Sequence, residues 1–425
     1  MSSSARFGFV LSLALSAGVW AAESPWIHRI EPLGAQRGTQ VEVRITGTNL
    51  VAPDSVWFDT PGIRWVTTSN VTGEEIAGKI EIAPDAALGP HLFHLKTREG
   101  RTNTRLFNVM QYPGVAEVEP NDPPGKAQRI SLRPQVIQGY LKGKADRDAF
   151  EFEAKAGDRW TFDLRSIEYG SHLECDLALE TAAGERVAFN DDRDDYLETP
   201  FLEHTFRQAG TYRLVLDQYR GPQRVDCSEN CGYLLQISQL PVVSAIDPLG
   251  AEAGSSATIR IVGKGLDRVQ KVELTPVRLG EYYRLTFPFT LPLRAVPDAV
   301  ATPVSAAVAT KRPDQLTARF TVPVEPAGLW RVWLHAAHGT VEAGSFEVGQ
   351  TPEQDEDAAK RKAWSGGPAV VNGRLGQPGE EDRFWIEAEA GHPIHIYTLA
   401  VQMGLPLIDT VLELFDADGK LVAES

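Results

Sequence analysis

Ile30-Glu31-Pro32-Leu33-Gly34-Ala35 returns as Ile246-Asp247-Pro248-Leu249-Gly250-Ala251, a displacement of 246 − 30 = 216 residues. The same displacement carries Gly38, Val43, Ile45, Gly47 and Leu50 onto Gly254, Ile259, Ile261, Gly263 and Leu266. A second series runs alongside the first. Gly139, Leu141, Asp148, Phe150, Phe152, Ala156 and Gly157 recur as Gly373, Leu375, Asp382, Phe384, Ile386, Ala390 and Gly391, displaced by 373 − 139 = 234. Two unrelated units therefore alternate, A-B-A-B. A duplicated pair of modules is the pattern of a binding or spacer array rather than of an active site.

The first A unit, residues 22–112, alternates apolar and polar residues in short bursts such as Val41-Glu42-Val43-Arg44-Ile45 and Lys79-Ile80-Glu81-Ile82. Period two predicts strands buried on one face, and Gly34, Gly38, Gly47 and Gly89 fall where turns between them belong. The second A unit, residues 241–350, carries Gly328, Gly339, Phe346 and Val348 in place of Gly89, Gly100, Phe107 and Val109, now displaced by 239. The difference, 239 − 216 = 23, measures an insertion within 274–317, where Pro288, Pro292, Pro297, Pro303 and Pro313 predict an extended loop or an extra hairpin. The fold class read from these patterns is all-β, a series of tandem β-sandwiches.

The opening of each A unit, Ile30, Pro32, Gly34, Gly38, Gly47 and Leu50, resembles the IPT/TIG family of immunoglobulin-like domains, with Gly34 one residue early. The resemblance implies a sandwich used as a spacer or adhesion unit and names no catalytic residue. The B unit, residues 113–240, runs from Glu117-Val118-Glu119-Pro120-Asn121-Asp122 through Asp146-Arg147-Asp148-Ala149-Phe150 to Gly210-Thr211-Tyr212. That succession resembles the bacterial pre-peptidase C-terminal (PPC) domain. It implies a jelly-roll-like sandwich of the kind appended to secreted peptidases and related to collagen-binding domains. The second B unit, residues 351–425, is partial. Asp409-Thr410-Val411-Leu412 answers to Asp176-Leu177-Ala178-Leu179, but the closing Gly-Thr-Tyr strand has no counterpart, which predicts an unpaired edge and a longer parent chain.

In Met1–Ala21, a lone Arg6 precedes the apolar run Phe7 to Leu15 and small residues end the segment, the form of a secretory signal peptide. The expected location is therefore secreted, periplasmic or cell-surface, and no later run has the length of a membrane span. A net charge of −15 argues against a nucleic-acid partner, which would need clustered Lys and Arg. Of three cysteines, Cys227 and Cys231 are spaced for a local disulfide, while Cys175 is either a buried thiol or the end of a longer bridge.

The acidic groups suit Ca2+, which takes six to eight oxygen ligands. Glu117, Glu119 and Asn121 put an oxygen donor at every second residue of an extended segment, and Asp122 adds one at a turn. By the resemblance to collagen-binding domains these four are carried over as metal ligands, with Asp146 and Asp148 as partners. The plainer alternative makes Pro120-Asn121-Asp122 a turn and Asp148 a surface charge. At a displacement of 234 the second B unit offers Glu353, Asp355, Glu356, Glu380 and Asp382, with Thr351 in place of Glu117. Asn190 to Asp195 reads as a solvated hairpin. The three H-x-x-H pairs, His91/His94, His335/His338 and His392/His395, put their rings on opposite faces of a strand and read as structural. Tyr140, Trp160, Tyr169, Tyr212, Tyr219 and Tyr233 are read as mostly core, with one or two left to a binding surface.

No nucleophile elbow, H-E-x-x-H helix or phosphate loop is present, so no enzyme is expected within these residues. The function expected is a secreted, non-catalytic binding or adhesion protein whose PPC-like units attach, with Ca2+, to extracellular protein or polysaccharide. The alternative is the accessory region of an exported peptidase or other hydrolase whose catalytic domain follows residue 425.

Overall fold

The computed structural model describes residues 24–51, 53–122, 125–143, 145–167, 170–193, 199–218, 231–277, 302–377, 379–400 and 410–425. Residues 1–21, read above as a signal peptide, Cys227, Tyr169, Tyr219, Asp194, Asp195 and residues 278–301 lie outside them. The fold is all-β: strands dominate and pack as sandwiches.

Alternation in the first A unit is realised almost residue by residue. Strand Glu75–Ile82 buries every second side chain, with Ile76, Ile80 and Ile82 inward. One sheet runs in the order Trp26–Glu31, Gln40–Thr48, Glu75–Ile82, Ile63–Val71. The facing sheet runs Gly34–Gln36, Arg105–Met110, Gly89–Thr97, Pro53–Phe58. Their inner faces close on Ile27, Ile45, Phe93 and Phe107.

In the second A unit the counterparts of these strands join into one eight-stranded sheet, because Val304–Lys311 pairs with both Val269–Pro276 and Gln315–Thr321. The ladder therefore confines the extra residues to the stretch between Pro276 and Val304. The repeat extends to a backbone irregularity. Both opening strands bulge, between Ile27 and Arg29 and between Val243 and Ala245. Opposite each bulge stands a glycine whose hypothetical Cβ would collide with a carbonyl oxygen, Gly47 against Trp26 and Gly263 against Val242. The matching Gly47 and Gly263 in the sequence mark this close approach.

The first B unit is a sandwich of two five-stranded sheets. One is ordered Gly114–Ala116, Gln135–Tyr140, Gly232–Ser238, Arg159–Arg165, Phe201–Thr205. The other is ordered Gln128–Arg129, Arg147–Ala154, Gly210–Gln218, Cys175–Thr181, Arg186–Asn190. Phe150, Phe152, Leu214 and Leu216 from one sheet meet Ile137, Phe162, Leu164 and Ile237 from the other. Tyr140, Trp160, Tyr212 and Tyr233 are all buried, so no described aromatic of the six is left for a surface row. Cys231 is disulfide-bonded. Cys175 is a buried thiol with its Sγ 3.7 Å from Ser166 Oγ.

Neighbouring units are held by specific bonds. The Gln138 side chain accepts from Gly34 N (3.2 Å) and donates to Gly34 O (3.3 Å), and Tyr140 Oη donates to Ile30 O (2.8 Å). Gln111 makes the same paired contact with Thr340, accepting from its N at 2.8 Å and donating to its O at 3.0 Å.

Among the described residues of 351–425 no such sandwich forms. These residues give the parallel pair Glu353–Asp355 and Val370–Asn372, a short helix Glu356–Arg361, and the antiparallel pair Glu413–Phe415 and Leu421–Glu424. Phe384, in Phe150's place, is 40% exposed where Phe150 is 0%, and Trp385 is 69% exposed. Among the described residues of 351–425, no strand pairs beside Phe384 as Gly210–Gln218 pairs with Arg147–Ala154 beside Phe150. Among the described residues no helix is long and apolar enough to cross a membrane.

Candidate metal centre

Strand alternation brings the acidic residues to one end of the first B sandwich. Arg147–Ala154 turns Asp148, Phe150 and Phe152 inward, so Asp148 lies fully buried in line with the core aromatics. Glu117 to Asn121 continue from strand Gly114–Ala116 of the opposite sheet and cross above it. Glu119, Asp146 and Asp148 each offer a carboxylate oxygen, and the three atoms lie within 4.8 Å of one another. Oxygens coordinated at about 2.4 Å to one Ca2+ can be at most about 4.8 Å apart, so the spacing fits a single ion.

Asn121 is completely buried beside them. With its amide nitrogen inward it donates to Asp148 Oδ1 (2.9 Å) and Glu119 Oε2 (3.2 Å). Turned the other way, the same amide offers an oxygen acceptor in place of the donor. Glu117 accepts from Tyr140 N (3.0 Å) and from Tyr233 Oη (3.0 Å), and a Cβ on Gly139 would collide with its carboxylate. Asp146 accepts from Lys142 N. Lys142 Nζ stands at the rim, 3.6 Å from both Glu117 and Glu119. Asp122 is half-buried and stands outside the close group, but its charge still reaches Asp146.

Tyr233, which the sequence reading placed only among the aromatics, completes the centre. Its hydroxyl lies between Asp148 Oδ2 and Glu117 Oε2 and has one proton to give, so one of these two contacts needs a carboxyl proton. Burial first, and then the Glu117 charge, push Asp148 far above the usual carboxylate range. Burial also raises Asp146, with Glu119, Asp122 and Glu117 adding to it. A native pKa above the unfolded value of about 3.9 means that the folded chain keeps a proton the unfolded chain has released. Stability of the ion-free protein therefore falls as pH rises through that window, and a cation that displaces the proton binds more tightly as pH rises.

The second B unit corrects the alignment read from the sequence. Glu353–Asp355 pairs in parallel with Val370–Asn372 as Gly114–Ala116 pairs with Val136–Gln138. The first strand is displaced by 353 − 114 = 239 and the second by 370 − 136 = 234, so five residues are lost between them. Glu356, rather than Thr351, therefore takes the place of Glu117 (117 + 239 = 356). Its carboxylate accepts from Arg374 N (3.1 Å) as Glu117 accepts from Tyr140 N (140 + 234 = 374). Glu380 accepts from Gly376 N (2.6 Å) as Asp146 accepts from Lys142 N. Glu353 and Asp355 are not ligand counterparts. Asp355 caps the short helix, accepting from Ala358 N at 2.7 Å.

The described members of the remaining candidate groups make local contacts. His91 is buried against Asp59 (3.1 Å) and Ala87 O (2.8 Å), while His94 stacks on the exposed Trp57. Asn190 folds its amide onto Asp192 O (2.7 Å) within the acidic run. A cleft of about 890 Å3 opens between the first A and first B sandwiches, with Gly34, Arg44, Glu117, Glu119, Tyr140 and Lys142 on its walls.

The sequence matches no protein-family model and no curated protein. Among solved structures, the pre-peptidase C-terminal domain of a collagenase from Bacillus anthracis is 18% identical over 28% of this chain and 100% of its own, with a TM-score of 0.21. The ICAM-5 D1–D4 ectodomain is 12% identical over 77% of each chain, at 0.16. The SGBP-B protein of a Bacteroides ovatus mixed-linkage glucan utilization locus, solved with a heptasaccharide, is 12% identical over 51% of this chain and 74% of its own, at 0.19. Likenesses at this level decide neither ligand nor role.

Proposed function

We propose that this is an exported, non-catalytic binding protein whose first B sandwich holds a divalent cation, Ca2+ by its all-oxygen donor set, at Glu119, Asp146, Asp148 and Asn121. Glu117 and Tyr233 orient the group and Asp122 adds charge. The observation that carries the reading is the convergence of three carboxylates and a buried amide at one sandwich end, with Lys142 at the rim. Like charges packed this closely repel one another, and a divalent ion reverses the sign of that interaction. The centre borders the cleft between the first two sandwiches, where an ion would also present a free coordination position to the hydroxyl or carboxylate groups of an extracellular polysaccharide or protein.

Melting of the full chain at pH 8 in saturating Ca2+ and in a chelator tests this. At an ion concentration one hundred times Kd the native state gains about 2.7 kcal/mol. That corresponds to on the order of 10 °C in the transition of the first B sandwich. The increment shrinks at pH 5, where protons compete for Asp148 and Asp146. Identical melting with ion and with chelator at pH 8 rejects the reading.

A further inference from the structure

We infer that Lys360 is a built-in cation of the second B unit, its ammonium standing where the first B unit takes a metal ion. The inference rests on the cation reading above and extends it to the repeat. Lys360 Nζ lies 2.5 Å from Asp382 and 3.5 Å from Glu356, the counterparts of Asp148 and Glu117. The third counterpart, Glu380, is engaged with the backbone N–H groups of Gly376 and Gln377. A positive charge therefore bridges the two acidic side chains that face each other across this end of the unit. Asp382 and Glu356 in turn hold the Lys360 ammonium more firmly in its charged form.

Local sequence explains how the lysine arrives there. With the displacement of 239, Pro120 becomes Ala359 and Asn121 becomes Lys360 (121 + 239 = 360). Proline lacks the N–H that a helix needs, so the first unit crosses its site without coiling and presents the Asn121 amide. In the second unit Glu356-Asp357-Ala358-Ala359-Lys360-Arg361 has helix-forming residues and the Asp355 cap, and coils into a short helix. One turn of that helix sets Lys360 four residues from Glu356, on the same face. The same relative position thus carries a neutral amide in one repeat and an ammonium in the other.

Charge counting separates the two sites further. In the first, among the described residues, Lys142 pairs with Glu117 and Glu119 and no cation pairs with Asp146 or Asp148. In the second, Lys360 meets Glu356 and Asp382 together. The second unit should accordingly be indifferent to metal ions.

The test is ion stoichiometry of the full chain, measured by equilibrium dialysis with Ca2+, for the wild type and for Lys360→Gln, which removes the ammonium and offers an amide oxygen. One ion per wild-type chain and two per Lys360→Gln chain are expected. Two ions in the wild type, or no additional ion in the variant, overturn the inference. No ion in the wild type with one in the variant would reject the metal reading of the first unit while upholding Lys360 as a cation substitute. A second measurement needs no variant: the rate of Lys360 amine acylation, read by mass spectrometry, should be equal in Ca2+ and in chelator. Lys142 should acylate faster in Ca2+, once the ion has taken its carboxylate partners. A Lys360 rate that changes more than about twofold contradicts the assignment.

Discussion

Phe150→Ala is expected to cost about 3–5 kcal/mol, while Phe384→Ala, at the matching place in the second B unit, should stay within about 0.5 kcal/mol. The two phenylalanines follow aspartates in the same D-x-F pattern. Phe150 is sealed between two five-stranded sheets with Phe152, Phe162 and Leu214, so truncation leaves a cavity in a packed core. Phe384 is 40% exposed, and removing its ring uncovers little that is not already wet. Equilibrium urea unfolding of the two full-length variants measures the contrast. Equal costs would mean that the second unit has a core of its own.

Asp148→Asn should have opposite effects in the two ion states. In chelator at pH 8 the variant should be more stable than wild type by at least about 1.4 kcal/mol, the equivalent of one unit of pKa displacement. The amide carries no charge to bury against Glu117, keeps a carbonyl oxygen for Tyr233 Oη and offers N–H groups to the surrounding carboxylates. In Ca2+ the gain of about 2.7 kcal/mol expected for wild type should disappear, because the most deeply held anionic ligand is gone. Thermal melts of both proteins in both buffers give the four numbers required. A variant less stable than wild type in chelator would show that Asp148 is there to support the fold and not to bind an ion.

Much of this architecture is written in the sequence. The repeats 30–35 and 246–251 identify the sandwiches, and the alternation at 75–82 identifies a strand and its buried face. Gly47 and Gly263 mark a close backbone approach before any strand is placed. The E-x-E-x-N-D segment and Asp146 and Asp148 were legible as an oxygen-rich group because extended chain aims alternate residues one way. Other features depend on pairing between distant segments. Tyr233 reaches Asp148 only because Gly139 pairs with Tyr233 across two strands about ninety residues apart in sequence. The five-residue loss in the second unit lies between two matched segments, in a stretch with no matched residue to reveal it. A constant displacement of 234 therefore set Glu353 against Glu119 and concealed Lys360 behind the Asp355 cap and the alanines that coil the helix.

The most direct measurement is the anomalous scattering of a crystal of the full chain grown with terbium as a calcium substitute. The account predicts one strong peak in the first B sandwich, within coordination distance of carboxylate oxygens of Glu119, Asp146 and Asp148, and none between Glu356 and Asp382. Featureless density among those three carboxylates, with Asn121 still donating its amide to Asp148, would contradict it.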